Sequence, residues 1–264
     1  IVHNNRFNST KEDGMSFVTV VKDNGRATVT LERGKVNALS EAVVDELHDQ
    51  FERIEKDDTV RAVILTGKGK FFTFGFDIPG FLSYTIEDFT GYLKKFTDLY
   101  AYIFTFPRPV IAALNGHTIA GGCMIAAACD HRIMVTGKAK ISLNEITFGS
   151  SLFAGSLAIL KYLVGTGIAQ EIAYTGKMYA AAEALELGLI DKVTSEQDLP
   201  TKALEAAQDF ARKDGAAFAS IKRSLRKPVA EEISRSEDAS VGEFATIWYS
   251  EGTWKNLQTI KITG

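Results

Sequence analysis

Apolar residues follow two different periods along the chain, and each period predicts one kind of element. Residues 17–22 and 26–31 alternate between apolar and polar around Asp23-Asn24-Gly25, which predicts a β-hairpin. Short apolar runs farther along the chain predict buried strands at 62–66 and 110–114, and a further strand is predicted at 131–135.

Other segments carry apolar residues three or four positions apart, which is the spacing of one helix face. These faces are Val44, Leu47, Phe51 and Ile54 in a first helix, Phe89, Leu93, Phe96 and Tyr100 in a second, and Leu157, Leu160 and Val164 in a third. Ser40 can cap the first helix. A short helix is predicted at 124–128, and the chain from about residue 156 is predicted to be mostly helical. Because strands alternate with helices, we expect parallel strand pairing with right-handed crossovers.

Length and composition describe a chain that can bury a large core. The 264 residues are 45% hydrophobic and 24% charged, which is compatible with one large domain or two. A net charge of −3 gives no basic surface, so we expect no nucleic-acid partner. The longest apolar runs, such as 110–114 and 125–128, are far shorter than a membrane span. Cys123 and Cys129 lie in an apolar segment, which favours buried reduced thiols over a disulfide or a metal site.

The two ends of the sequence resemble no targeting signal. Residues 1–14 are polar and unpatterned, without the apolar region of a signal peptide or the arginine-rich character of a mitochondrial presequence. We expect them to be a disordered extension or a cloning remnant. Residues 261–264 differ from the peroxisomal Ser-Lys-Leu signal. These features favour a cytoplasmic protein.

Two glycine-containing turns carry the candidate chemistry. Gly121-Gly122 stands between the apolar run 110–114 and the predicted helix 124–128, where unpaired N–H groups at a helix start stabilise negative charge. Gly75, in the segment 71–78, can adopt a conformation that turns a neighbouring N–H toward a ligand. One donor from each turn can converge on a carbonyl oxygen as an oxyanion hole. The alternatives are an ordinary loop glycine at Gly75 and close strand-to-helix packing at the glycine pair.

The order of these motifs resembles the crotonase family, also called the enoyl-CoA hydratase/isomerase family, from about residue 16 to residue 257. The blocks that carry the resemblance are Gly34-Lys35-Val36-Asn37-Ala38-Leu39, Phe74-Gly75-Phe76-Asp77-Ile78, residues 115–122, Cys129-Asp130-His131-Arg132-Ile133, Gly176-Lys177, residues 181–184 and residues 188–193. The resemblance implies an α/β fold, a crotonase-like spiral of ββα units with a C-terminal helical region. The core domain is then expected at 15–200 and the helical region at 201–264.

The resemblance also implies what the protein binds. The expected partner is an acyl-CoA thioester substrate, and no cofactor is implied apart from the coenzyme A of that substrate. The family usually forms trimers or dimers of trimers, so a homotrimer or a hexamer is expected.

Within the family, the number of carboxylates separates two kinds of enzyme. Hydratases of the family carry one glutamate two residues after the last glycine of the turn and a second in the segment that reads Asn144-Glu145-Ile146 here. This chain has Met124 at the first position and Glu145 at the second, and so it resembles the single-glutamate enoyl-CoA isomerases. Hydration needs one carboxylate to activate water and another for the second proton, whereas a double-bond shift needs only one base.

The resemblance assigns roles to individual residues. Glu145 is expected to take the α-proton and return it at the γ-carbon, while the N–H groups of Phe76 and Gly121 bind the enolate oxygen. Burial among apolar side chains should raise the pKa of Glu145. The substrate-binding residues that the resemblance implies are Lys35, Ala38, Phe74, Gly75, Asp77, Ile78, Gly122 and Met124, and no metal site is expected.

Several of these residues have structural alternatives. Asp77 can cap a short helix after the glycine turn. His117 can be a loop histidine satisfied by the backbone, Lys35 can be solvated, and Met124 can belong to the core or to the acyl-pocket wall. The helically spaced residues Phe244, Trp248, Tyr249 and Trp254 form either core or a helix that completes the acyl-CoA pocket. The same motifs leave open another crotonase-family enzyme, such as a hydratase, thioesterase or decarboxylase, or a non-catalytic acyl-CoA binding protein.

Overall fold

The computed structural model describes residues 16–260, so the expectations for residues 1–14 and 261–264 lie outside the described residues. The strands are β1 Val18–Asp23, β2 Arg26–Leu31, β3 Ala62–Gly67, β4 Phe71–Thr73, β5 Val110–Leu114, β6 His117–Ile119, β7 His131–Val135, β8 Lys140–Ser142, β9 Tyr179–Ala180 and β10 Lys192–Thr194. The helices are α1 Glu41–Glu55, α2 Ile78–Phe81, α3 Ile86–Thr105, α4 Gly121–Ala128, α5 Ala154–Val164, α6 Thr166–Thr175, α7 Ala181–Glu186, α8 Leu199–Ala211, α9 Gly215–Trp248 and α10 Glu251–Leu257. A 3₁₀ turn at Glu145–Phe148 follows β8.

The larger sheet has the strand order β1-β2-β3-β5-β7-β10. β1 and β2 form the predicted antiparallel hairpin, and the other neighbours pair in parallel as predicted. In the hairpin turn, Asn24 and Gly25 have φ angles of 47° and 76°, the left-handed values that a two-residue turn of this kind requires. Strands β2, β5 and β7 have the predicted bounds, whereas β1 is shifted by one residue and β3 extends one residue farther.

A second sheet, with the order β4-β6-β8-β9, was not predicted from the sequence. Its strands have only two or three residues, which is too short for an alternating pattern to emerge. β3 leads into β4, β5 into β6 and β7 into β8, and each pair is followed by helical structure. The chain therefore repeats a ββα unit, and the predicted spiral with a C-terminal helical region is confirmed.

The helices start where local chemistry favours a helix start. The side chain of Ser40 accepts a hydrogen bond from the N–H of Val43 at 3.5 Å, and α1 buries its predicted apolar face. The helix predicted at 124–128 begins earlier, at Gly121, so the glycine pair forms its first turn. Among the described residues, no helix is both long enough and apolar enough to cross a membrane.

The long helix α9 is fixed to the core by buried ion pairs. The carboxylate of Asp130 lies 2.7 Å from the Lys222 Nζ and 2.9 Å from the Arg226 Nη2. Burial lowers the pKa of Lys222 to about 8. Arg226 also donates to the carbonyl oxygens of Phe104 and Ala128. These contacts hold the first half of α9, and the helix also packs on α3 and α5.

Candidate active site

The two glycine turns predicted from the sequence contact each other. Gly75 has a φ of +94°, and a Cβ atom at this position would lie 2.9 Å from the Ile119 carbonyl oxygen and 3.3 Å from the Gly121 nitrogen. Residue 75 must therefore be glycine, both for its backbone conformation and for the close approach of the second turn. Gly75 is thus more than an ordinary loop glycine.

The second turn has an unusual backbone at its entry to α4. Ala120, which precedes the helix, has a φ of 52° and a ψ of −120°, values that a residue with a side chain rarely adopts. Its N–H donates to the Ser142 carbonyl oxygen at 2.8 Å, which ties the turn to β8. Such strain is typical of functional turns, because the surrounding structure has to enforce it.

The backbone N–H groups of Phe76 and Gly121, one in each turn, are the candidate oxyanion-hole donors. Within residues 16–260, neither the N–H of Phe76 nor that of Gly121 donates to a carbonyl or a side chain. The residues on either side of Phe76 are bonded, since Leu39 donates to the Gly75 oxygen at 2.8 Å and Asp77 donates to the Leu39 oxygen at 3.4 Å. Unpaired N–H groups are uncommon away from water, so both are available to a ligand oxygen.

Glu145 is the first residue of the 3₁₀ turn after β8, and its side chain is buried. The residue is 4% exposed, and its Oε2 has no hydrogen-bond partner among the described residues. Burial raises the pKa of Glu145 from 4.5 to about 8, in the expected direction, and the residue's own N–H offsets part of this rise. The carboxyl group is therefore mostly protonated at neutral pH.

Glu145 lines a cavity of about 270 Å³ next to the two turns. The lining side chains are mostly apolar or aromatic and come from the turns, the 3₁₀ segment and the C-terminal helices: Phe74, Phe76, Ile78, Ile119, Ala120, Asn144, Glu145, Thr147, Phe148, Phe244, Trp248 and Ile260. Among the described residues, Glu145 is the one titratable side chain in this lining. A concave, mostly apolar pocket with a few polar groups is the usual form of a small-molecule site.

The structure brings together some of the predicted site residues and separates others. Phe74, Phe76, Ile78 and Glu145 line the cavity, and Gly75 and Gly121 form the turns beside it. Phe244 and Trp248 are both fully buried and part of the lining. These two residues therefore belong to the core and also line the cavity, so the two alternatives do not exclude each other. Six further lining residues were not among the predicted site residues: Ile119, Ala120, Asn144, Thr147, Phe148 and Ile260. Asn144, Thr147 and Phe148 lie within three positions of Glu145 in the chain, and this closeness is the signal that could have indicated them.

The remaining predicted residues lie outside the cavity lining. A Cβ atom at Gly122 would lie 2.6 Å from the Thr73 Cγ2, so the packing alternative applies at this glycine. Ala38 and Met124 are buried, whereas Lys35 is exposed. Met124 is 3% exposed and belongs to the core.

Asp77 and His117 differ from the structural alternatives proposed for them. Asp77 precedes α2, yet its side chain makes no capping hydrogen bond. Its Oδ2 instead lies 2.7 Å from the Arg33 Nη2, and the two charged side chains form an ion pair. His117 lies in β6 and not in a loop, with its ring 5.1 Å from the ring of Phe71, and burial lowers its pKa.

The cysteines behave as predicted. Cys123 and Cys129 are buried free thiols. Burial raises the pKa of both, and the nearby carboxyl of Glu145 raises that of Cys123 further. Within residues 16–260, no group of three or more His, Cys, Asp or Glu side chains is arranged to hold a metal ion.

Comparisons with known proteins agree with this geometry. The family model for enoyl-CoA hydratase/isomerase matches residues 22–255. A short-chain-enoyl-CoA hydratase of Clostridium acetobutylicum is 33% identical over 261 residues, covering 95% of this chain and 98% of that protein. Mitochondrial enoyl-CoA delta isomerase 1 of Homo sapiens is 28% identical over 236 residues, covering 89% of this chain and 78% of that protein.

A crystal structure provides the corresponding comparison of folds. Human mitochondrial delta3-delta2-enoyl-CoA isomerase superposes with a TM-score of 0.89 at 28% identity, covering 92% of this chain and 96% of that one. The family match covers the glycine turns, the 3₁₀ segment and all of α9. This chain therefore belongs to the enoyl-CoA hydratase/isomerase family, the crotonase family.

Proposed function

We propose that this protein is an enoyl-CoA isomerase, which moves the double bond of a 3-enoyl-CoA thioester to the 2-position. The observation that carries the proposal is that Glu145 supplies the single carboxyl group found in the cavity lining among residues 16–260. Met124 occupies the position at which hydratases of the family have their other glutamate. One carboxyl group is enough for a double-bond shift, because the proton taken from the α-carbon is returned at the γ-carbon.

The proposed reaction uses the two unpaired N–H groups and Glu145. The thioester oxygen accepts hydrogen bonds from the N–H groups of Phe76 and Gly121, and the Glu145 carboxylate takes the α-proton. The electron pair of the broken C–H bond forms an enolate, whose charge those two donors stabilise. Glu145 then gives its proton to the γ-carbon, and the double bond becomes conjugated with the carbonyl. Loss of one such donor typically lowers the rate by about two to three orders of magnitude.

The environment of Glu145 suits a group that both accepts and releases a proton. A base works best when its pKa is close to the operating pH, and burial raises the pKa of Glu145 to about 8. The side chains that line the cavity around this carboxyl group are mostly apolar.

Hydration is the competing activity, since one relative is named a short-chain-enoyl-CoA hydratase. Water addition needs a second group to orient and deprotonate water, and no other titratable side chain among the described residues lines the cavity. Isomerisation therefore requires fewer acid–base side chains than hydration does, and Glu145 alone is sufficient for it.

The conjugated enoyl-thioester absorbance distinguishes the two activities. With 3-enoyl-CoA the wild type should generate this absorbance, and with 2-enoyl-CoA it should consume little or none. Met124→Glu places a carboxyl group at the position of the other hydratase glutamate and should introduce weak hydration, at a cost in stability because Met124 is 3% exposed. Met124→Gln, which is polar but cannot act as a base, is the matched control. Rapid hydration by the wild type would overturn the proposal.

A further inference from the structure

The 3₁₀ turn that carries Glu145 ends against the short helix α10. The end of a helical turn leaves carbonyl oxygens without partners inside the turn, and other groups have to bond them. Here the Thr253 hydroxyl donates to the Gly149 carbonyl oxygen at 2.6 Å, and the Asn256 Nδ2 donates to the Phe148 carbonyl oxygen at 3.1 Å. Two side chains of α10 therefore hold the end of the catalytic turn.

The residue that Thr253 holds is also the one that closes the turn onto Glu145. The Gly149 N–H donates back to the carbonyl oxygens of Glu145 and Ile146, and the Ser150 N–H donates to the Glu145 carbonyl oxygen at 3.0 Å. Gly149 has a φ of +87°, and a Cβ atom on it would lie 3.0 Å from the Thr253 Oγ1. Gly149 thus joins the Thr253 hydroxyl directly to the backbone of Glu145.

The start of α10 is fixed to the other side of the active site. Tyr249, which follows α9, donates from its hydroxyl to the carbonyl oxygens of Tyr84 at 2.8 Å and Thr85 at 3.1 Å. Its ring stacks on that of Trp254 in α10, with centroids 5.0 Å apart. Residues 84 and 85 follow α2, the helix next to the Gly75 turn. The corner between α9 and α10 therefore contacts the segments on both sides of the site.

The position of the Glu145 carboxyl depends on how its backbone is held. The Glu145 Oε2 has no hydrogen-bond partner among the described residues that would fix the side chain. Thr253 is 4% exposed, so water does not readily replace its hydroxyl as the partner of the Gly149 oxygen. Asn256 is exposed, and water competes more easily with its amide. Thr253 is therefore the main contact.

We propose that Thr253, assisted by Asn256, is a positioning residue that holds the 3₁₀ turn so that the Glu145 carboxyl reaches both the α-carbon and the γ-carbon. Thr253 is not part of the cavity lining, so it acts through the turn. A displacement of ~1 Å at a catalytic group can lower the rate about a hundredfold, because the reacting atoms no longer meet in the required geometry. This inference rests on the proposed isomerase function.

The test separates positioning of the base from substrate binding. Thr253→Val removes the hydroxyl with little change of shape, and kcat for 3-enoyl-CoA should fall about tenfold or more. The Kd of a saturated acyl-CoA should stay near its wild-type value. Thr253→Ser restores the hydroxyl and should recover most of the lost rate. Thr246→Val is the matched control, because the Thr246 hydroxyl is exposed and donates to the Gly242 oxygen inside α9; its kcat should be unchanged.

Each outcome decides the question. A folded Thr253→Val protein with the wild-type kcat, or with kcat and acyl-CoA affinity lowered by the same factor, would overturn the positioning role. If circular dichroism shows that Thr253→Val does not fold, Asn256→Asp decides, because the exposed carboxylate cannot donate to the Phe148 oxygen. Its kcat should fall at unchanged Kd, and an unchanged kcat would overturn the role. A wild type that isomerises no 3-enoyl-CoA would instead refute the proposed function, and the inference with it.

Discussion

Replacing Glu145 with glutamine removes the one carboxyl group that lines the cavity while keeping almost the same shape. The amide cannot accept the α-proton, so isomerisation should fall by about two to four orders of magnitude, the usual contribution of a positioned base. Binding of a saturated acyl-CoA should persist, because the apolar lining and the two N–H donors are unchanged. Glu171→Gln, at an exposed carboxylate, is the control and should retain the wild-type rate.

The raised pKa determines how the wild-type rate depends on pH. A shift from 4.5 to about 8 corresponds to roughly 5 kcal/mol against the charged form, at ~1.4 kcal/mol per pH unit. With a pKa of about 8, about one molecule in ten carries the carboxylate at pH 7. In the free enzyme, kcat/KM should therefore rise about tenfold per pH unit below pH 8 and level off above it.

The same shift predicts a pH-dependent stability difference between the two proteins. The folded-state pKa of Glu145 is above its unfolded value, so its contribution to stability is fully present below about pH 4.5 and is lost as pH rises toward 8. The glutamine variant has no such group and should gain relative stability over that window, measured by urea unfolding at several pH values. A variant that retains more than about a tenth of the wild-type rate, or a wild-type kcat/KM that is flat from pH 6 to 8, would refute the role of Glu145.

Further predictions concern the glycine turn and the ion pairs of α9. A Cβ atom at Gly121 meets aromatic ring atoms at 3.1 Å, whereas one at Gly122 meets the Thr73 carbonyl oxygen at 2.8 Å and its Cγ2 at 2.6 Å. Gly121→Ala should therefore lower the rate by about tenfold or more with little change in Tm. Gly122→Ala should lower Tm more than Gly121→Ala does, and equal effects of the two substitutions on Tm would contradict this prediction. Asp130→Ala leaves two buried cations unpaired and should cost about 3–5 kcal/mol in urea unfolding, against less than ~1 kcal/mol for the exposed Asp209→Ala.

The sequence predicts the longer elements well because their patterns are long enough to detect. β5 is a five-residue apolar run, and β7 ends in the apolar run 133–135, because the inner strands of the sheet are buried. β6, β8 and β9 have two or three residues, and their conformation is imposed by pairing with one another. Short strands of this kind depend on contacts between distant segments, which a local pattern does not encode.

The candidate site was predicted in part for a similar reason. Glu145, Gly75 and Gly121 belong to local motifs, so the sequence indicates them directly. The helical spacing of Phe244 and Trp248 is the same for a core helix and for a pocket wall, and only their position beside Glu145 distinguishes the two. Asp77 pairs with Arg33, forty-four positions away, which no pattern near Asp77 predicts.

The central claim is that one buried carboxyl group carries the proton from the α-carbon to the γ-carbon, and isotope transfer tests it most directly. A 3-enoyl-CoA carrying two deuterium atoms at the α-carbon is converted in ordinary water, and the first turnovers are analysed by mass spectrometry and NMR. Glu145 is 4% exposed and its Oε2 has no partner among the described residues, so exchange with solvent should be slower than transfer. The account predicts deuterium at the γ-carbon of the product. A product with only hydrogen from water at the γ-carbon in the earliest turnovers would contradict it.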